Sequence, residues 1–164
     1  MEHIAADREF IERIVDEHSD LIIRIAMHHV HSMGDAEDIA QTVFLRFLRN
    51  PVPLQSKEHE KAWIIRVTVN LCKDYCKSSW YRKRADLLEE SLPVPEADDS
   101  PDVLGAVRAL SPNYKNVIYL HYYEGYKVSE IAQSLNVREG TVMSWLSRAR
   151  GELKNIMKGE FEDA

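Results

Sequence analysis

Residues 128–145 read VSEIAQSLNVREGTVMSW, and this stretch decides the fold. Apolar residues recur at helical spacing on either side of a short turn, Asn136-Val137-Arg138. Two short helices that cross steeply need apolar residues at fixed places and a small residue at the crossing. Ala132 is the small residue, and Ile131, Leu135, Val137, Val142 and Trp145 are the expected buried set. Asn136 stands where glycine is usual, and asparagine tolerates the left-handed backbone conformation nearly as well. Ser129 is the expected cap of a helix from Glu130 to Leu135. A longer helix follows from Thr141 to about Met157, with Val142, Leu146, Ala149 and Leu153 on one face. The pattern is that of a helix-turn-helix, whose second helix enters the major groove of duplex DNA. Arg138, Glu139, Thr141, Met143, Ser144, Ser147 and Arg148 then reach toward base edges, and Arg148, Arg150 and Lys154 toward phosphates. A helical hairpin that served only a core would need the apolar slots but not the basic flanks.

Upstream, Ser111-Pro112 reads as a cap with proline at the first helical position. That helix continues through Val117, Ile118, Leu120 and Tyr122 and stops at Gly125. Residues 87–102 hold Pro93, Pro95 and Pro101 with Glu89, Glu90, Glu96, Asp98, Asp99 and Asp102 and no base. This is the composition of a flexible, self-repelling linker, which divides the chain into 1–86, the linker 87–102, and 103–164.

The N-terminal part is also helical. Phe10, Ile14, Leu21, Ile25 and Val30 recur at helical spacing over about 7–31, and Ser32-Met33-Gly34 breaks the run. Asp35 is the expected cap of a second helix to about Arg49. That helix has two apolar rows, Ile39-Val43-Phe47 and Ala40-Phe44-Leu48, so it is either central to a core or has a partner outside it. Asn50-Pro51-Val52-Pro53 ends it. A third helix spans about 60–84, and its β-branched run Val67-Thr68-Val69 before Asn70 predicts a bend or break there.

The chain has 164 residues with a net charge of −6, but the charge is zoned. Residues 1–60 are acidic. Residues 61–86 carry Lys61, Arg66, Lys73, Lys77, Arg82, Lys83 and Arg84 against Asp74 and Asp86. Residues 108–158 are net basic. Local patches, not the total, govern phosphate binding. No apolar run reaches the roughly 18 residues of a membrane span. The N-terminus lacks the basic and apolar segments of a signal peptide, so a cytoplasmic location without membrane insertion is expected. Cys72 and Cys76, four apart, read as buried thiols. His18, His28, His29 and His31 read as solvated, since no carboxylate completes an HExxH site. There is no Gly-rich phosphate loop and no nucleophile–base set, so no catalytic group, metal or cofactor is expected.

These features converge on a known family. Ala109-Leu110-Ser111-Pro112, Glu130-Ile131-Ala132, Gly140-Thr141-Val142, Ser147-Arg148-Ala149-Arg150 and Leu153 resemble region 4 of the sigma-70 family. Asp35-Ala36-Glu37-Asp38-Ile39-Ala40-Gln41-Thr42-Val43-Phe44 is similar to region 2.2, and Ala62 to Leu71 with Asp74-Tyr75 resembles the -10 reading segment. With nothing resembling regions 1.1 or 3, the likeness is to the small extracytoplasmic-function (ECF) class. The resemblance implies an all-α protein of two small helical domains, a region 2 bundle and a region 4 helix-turn-helix. It implies binding to core RNA polymerase through the β′ clamp helices and β flap, to promoter DNA, and to an anti-sigma factor.

By the same resemblance, Asp38, Gln41, Thr42 and Leu45 contact the polymerase. Arg66, Asn70, Lys73, Lys77, Trp80, Arg82 and Lys83 serve the -10 element, with the Asn70 position in a loop that captures a flipped base. Arg138, Glu139, Thr141, Met143, Ser144, Ser147, Arg148 and Arg150 serve the -35 element. Trp63, Tyr75, Trp80 and Tyr81 offer rings for unstacked bases, or for the core. Two positions depart from the family pattern: Met143 stands where Lys or Arg is frequent, and Thr42 where Glu is common. A stand-alone helix-turn-helix regulator, binding duplex DNA without polymerase, is the alternative reading.

Overall fold

The computed structural model describes residues 2–49, 56–77 and 103–162. The proposed linker 87–102, and Trp80, Tyr81, Arg82, Lys83 and Arg84, lie outside the described residues. All secondary structure among the described residues is helical, as an all-α reading requires. The chain divides into two compact units, 1–72 and 73–164.

The first unit holds α1 (Glu2–Met27), α2 (Met33–Arg49) and α3 (Lys57–Lys77) up to Cys72, and each buries one stripe. From α1 come Ile14, Leu21, Ile22, Ile25 and Ala26; from α2, Ala36, Ile39, Ala40, Val43 and Phe47; from α3, Ala62, Ile64, Ile65, Val69 and Cys72. The Phe47 ring bridges the helices, stacking on Phe10 at 5.8 Å and meeting the edge of Trp63 at 5.3 Å.

Helix α1 ends earlier than its periodicity implies. Backbone bonds from His28 to Ile25 and from His29 to Ala26 close the last turn, and Val30 is buried from the loop beyond. The cap of α2 is Ser32, not Asp35: the Ser32 hydroxyl accepts from the Asp35 amide at 3.1 Å. Asp35 lies one turn further in and is buried. The expected break at Asn70 is absent, and α3 runs unbroken through it. The Thr68 hydroxyl donates to the Ile64 carbonyl at 2.7 Å, and burial of Ile65, Thr68 and Val69 holds the helix. Tertiary packing here outweighs the modest propensity cost of β-branched residues.

His18 and His29 are buried, contrary to the expectation of solvated histidines. His18 Nε2 lies 2.7 Å from Glu60 Oε1, and Arg13 Nη2 lies 3.3 Å from Glu60 Oε2, which ties α1 to α3. Arg13 also donates to Glu17 at 3.0 Å. Burial by itself would raise the Glu60 carboxyl, but the hydrogen bonds from His18 and Arg13 outweigh it and hold the group below the ordinary carboxylate value. Cys72 is buried and Cys76 half-buried, and neither is in a disulfide.

In the second unit, α4 (Val103–Ala109), α5 (Pro112–Ile118), α6 (Val128–Leu135) and α7 (Glu139–Glu162) surround one core. Helices α4, α5 and α6 all pack on α7. Helix α5 starts with proline in its first turn after Ser111 and leads into a π-helical turn, Tyr119–Tyr123. Gly125 then ends the run at φ 77°, a left-handed conformation that glycine adopts without steric cost.

The Glu60 cluster predicts a pH-dependent contribution to stability. A carboxylate with a lowered folded-state pKa stabilises fully above its unfolded value, 4.5, and that contribution is lost as pH falls through the lower folded value. Glu60→Gln is expected to cost about 1–3 kcal/mol in urea unfolding at neutral pH. The gap to the parent should narrow steadily as pH is lowered below 4.5. A gap independent of pH would remove the carboxylate from this role.

Candidate nucleic-acid interface

The turn between α6 and α7 sets this site. Asn136 sits at φ 57°, ψ 47°, in the left-handed region, as the sequence requires of that position. Its amide donates to the Gln133 carbonyl at 3.3 Å, and that of Val137 to Ala132 at 3.0 Å. These bonds occupy carbonyls that the helix end would leave unpaired. At the other end of α6 the cap differs from expectation. The helix starts at Val128 after Lys127, not at Ser129, and the Glu130 carboxylate reaches back to accept from the Lys127 amide at 3.1 Å. Helix α7 opens with the Arg138 carbonyl accepting from the amides of Thr141 and Val142, two residues earlier than the expected start.

Ala132 and Ile131 of α6 are buried, as are Val142, Leu146 and Ala149 of α7. Leu135, Val137 and Trp145, expected with them, are half-buried. With this stripe held inward, the opposite arc of α7 faces solvent. Arg138, in the turn before α7, and Glu139, Met143, Ser144, Ser147, Arg148 and Arg150 are exposed and Thr141 is half-buried; Ser144, Ser147 and Arg148 lie opposite the buried stripe, while Thr141 and Arg150 fall on different flanks of the helix. Arg150 Nη1 donates to the Tyr122 hydroxyl at 2.9 Å. Tyr122, supplied by the π-helical turn, is therefore a neighbour that sequence spacing could not have revealed.

On α3, Arg66, Asn70, Lys73 and Lys77 are separated by four, three and four residues and form one row along the helix. Asn70 and Lys77 are exposed, while Arg66 and Lys73 are half-buried. Asn70 thus occupies a helical position rather than the expected loop. Trp63 and Tyr75 are half-buried, and the edge contact with Phe47 makes Trp63 partly a packing residue.

Helix α2 exposes a different chemistry. Asp38, Gln41 and Leu45 are exposed and Thr42 is half-buried, its hydroxyl bonded to the Asp38 carbonyl at 3.0 Å. The second apolar row read from the sequence splits: Ala40 is buried, Phe44 half-buried, and Leu48 exposed. Leu45 at 50% and Leu48 at 43% exposure are the outward apolar pair. Leu48 was missing from the predicted site, although its i+3 spacing from Leu45 marks it.

Comparison with known proteins follows this geometry. Residues 14–82 match the model of Sigma-70 region 2, and residues 102–153 that of Sigma-70, region 4. The chain is 30% identical over 162 residues to the ECF RNA polymerase sigma factor SigE of Mycolicibacterium smegmatis, covering 89% of this chain and 61% of that protein. It is 29% identical over 154 residues to SigL of Mycobacterium tuberculosis, covering 88% and 87%. The chain spans about three fifths of SigE and of BldN of Streptomyces coelicolor (61% and 62%). Among solved structures, CnrH in complex with the cytosolic domain of CnrY superposes with a TM-score of 0.65 at 21% identity, covering 93% and 90%. The sigma factor RpoE of Bartonella quintana, in complex with the anti-sigma factor NepR, gives 0.63 at 21%, covering 90% and 96%. At these identities the structures show a shared fold.

The left-handed turn yields a direct test. Asn136→Gly should leave stability to urea within about 0.5 kcal/mol of the parent, because glycine tolerates this conformation. Asn136→Val should lose about 1–2 kcal/mol, because a β-branched side chain at positive φ clashes with the carbonyl. Equal stability of the two variants would show that the turn does not impose this backbone.

Proposed function

The chain belongs to the sigma-70 family, and from that premise we propose that it is an ECF sigma factor that directs core RNA polymerase to promoter DNA. One observation carries the reading. The outward arc of α7 holds Ser144, Ser147 and Arg148 in solvent while its opposite stripe is buried, with Arg138 exposed in the preceding turn and Arg150 exposed on a flank, which is the arrangement for insertion in a major groove. The stand-alone regulator shares that helix. It does not account for a second basic row on α3, or for an apolar outward pair on α2 in a segment similar to region 2.2.

In this proposal residues 1–86 form the domain that binds polymerase and the -10 element, 87–102 the acidic linker, and 103–164 the -35 domain. Asp38, Gln41, Thr42 and Leu45, joined by Leu48, dock on the β′ clamp helices. Burying the exposed leucines supplies the hydrophobic term, and the polar residues set orientation. Arg66, Lys73 and Lys77 hold the single-stranded backbone by charge, together with Arg82 and Lys83, and Trp80 offers a stacking surface. Asn70 offers both a donor and an acceptor to an extruded base, whose edge is free once it leaves the stack. Arg138, in the turn before α7, and Arg148 on it meet base edges or phosphates, Arg150 phosphate, and Glu139 can accept from a cytosine amine.

The β flap and an anti-sigma factor complete the partners; the solved neighbours CnrH and RpoE are each bound to a protein of their own. The chain supplies recognition, and the bond-making chemistry is the polymerase's. Among the described residues no helix is long and apolar enough to cross a membrane, and we place the protein in the cytoplasm.

The test is in vitro transcription with sigma-free core polymerase on a promoter library. Discrete starts that depend on this protein support the proposal. No initiation, with tight salt-sensitive binding of duplex DNA by the protein alone, favours the stand-alone regulator. Two variants separate the surfaces. Leu45→Asp should weaken core binding about tenfold or more, the effect of losing 1.4 kcal/mol. Asn70→Ala should leave core binding intact and lower open-complex formation by about tenfold. Equal loss of both activities in Asn70→Ala would assign Asn70 to folding.

A further inference from the structure

The outward line of α7 is built from small residues. Gly140, Ser144, Ser147 and Gly151 follow one another at spacings of four, three and four, so they run along one side of the helix. A Cβ added at Gly140 or Gly151 would meet nothing within 4 Å. Such a line lets a helix backbone come close to another surface. Met143 stands beside it and breaks its character, with 60% of its surface exposed, more than Tyr122, Met33 or Leu104. Arg148 and Arg150, both exposed, follow on the same helix.

A long apolar side chain at this place contributes nothing to the core. Nor can it read polar base edges, because a thioether has no donor and is only a weak acceptor. The major groove has one apolar feature that distinguishes bases, the 5-methyl group of thymine. Methionine suits such a contact: it is unbranched, with three rotatable bonds and a polarisable sulfur. The arginines on the same helix supply the phosphate contacts that fix register. We propose that Met143 is a specificity-determining residue that reads a thymine methyl group in the upstream promoter element. This rests on the reading of α7 as the -35 helix.

The experiment uses the full-length protein with core polymerase, first selecting the preferred -35 sequence and then replacing each thymine in turn by uracil, which lacks only the methyl group. At one position the replacement should reduce promoter affinity about fourfold, the effect of exposing one buried carbon unit. Met143→Ala should bind thymine and uracil equally at that position, and Met143→Leu should retain the preference. Met143→Lys should move the selected base toward guanine, whose N7 and O6 accept from an amine. If the parent is indifferent to uracil at every position, or if Met143→Ala keeps the same discrimination, the inference is overturned. Failure of core-dependent initiation itself is a separate result: it removes the sigma factor reading, and this inference with it. Because the side chain is exposed, none of these substitutions disturbs the core.

Discussion

An α-helix turns its side chains through a full circle every 3.6 residues, so a helix that packs on neighbours along one stripe must leave the opposite stripe to solvent. Every surface proposed to bind a partner follows from that constraint. Helix α7 commits Val142, Leu146 and Ala149 to the core, and Ser144, Ser147 and Arg148 are thereby turned outward. Helix α3 commits Ile64, Ile65, Val69 and Cys72, and the Arg66-Asn70-Lys73-Lys77 row is what remains. Helix α2 commits Ile39, Val43 and Phe47, yet still carries leucines on its outer side. Core packing thereby sets which residues are left to face outward. A substitution in the buried stripe would therefore act on binding through rotation of the helix, while one on the outer stripe acts directly.

The parts of this arrangement that depend on period and turn chemistry were legible in the sequence. The 3.6-residue repeats and turn signals placed every described helix but α4, a short helix that the sequence reading did not give. Asn136 at a helix end signalled a left-handed turn, and Gly125 a helix stop, because both positions need backbone conformations that few residues tolerate. The outward arc of α7 followed from its buried stripe alone. What was not legible depended on contacts between elements. Ser32 caps α2 although Asp35 is as good a capping residue, because the preceding chain brings Ser32 to the helix end. Glu130 closes the start of α6 from inside the helix, so the best N-terminal side chain was not the cap. The Val67-Thr68-Val69 run favoured a break by propensity, and the burial of Thr68 and Val69 outweighed it. The leucine on α2 at position 48 belonged to an apolar row in one dimension and to the surface in three.

The Arg13, His18 and Glu60 cluster shows the same limit from the side of charge. Forty-two residues separate His18 from Glu60, and nothing local marks either as a partner of the other. In sequence Glu60 is one acid in a polar stretch. In the fold it is a buried carboxylate that survives burial only because a guanidinium and an imidazole face it. A carboxylate desolvated without such partners would be neutral or expelled. The cluster therefore specifies how α1 meets α3 more than it adds net stability: a slipped packing would leave Glu60 buried and unpaired, and that penalty excludes the alternatives.

Charge also resolves the conflict between an acidic chain and a polyanionic ligand. The net charge is −6, but ions at physiological salt are screened within about 8 Å, so DNA senses patches and not totals. The span 138–154, from the turn before α7 into that helix, carries Arg138, Arg148, Arg150 and Lys154 against Glu139 and Glu152. Over residues 66–77 of α3, Arg66, Lys73 and Lys77 stand against Asp74. The acids collect elsewhere, on the exposed side of α1 at Glu9, Glu12, Asp16, Glu17 and Asp20. Acidic surface next to a basic row repels phosphate wherever the row does not attract it, which confines productive encounters to one orientation. A uniformly basic protein would bind any DNA through any face. On the proposed reading, an acidic chain with two short basic surfaces would bind DNA weakly by either one, and would gain affinity and selectivity when both are engaged on the same DNA.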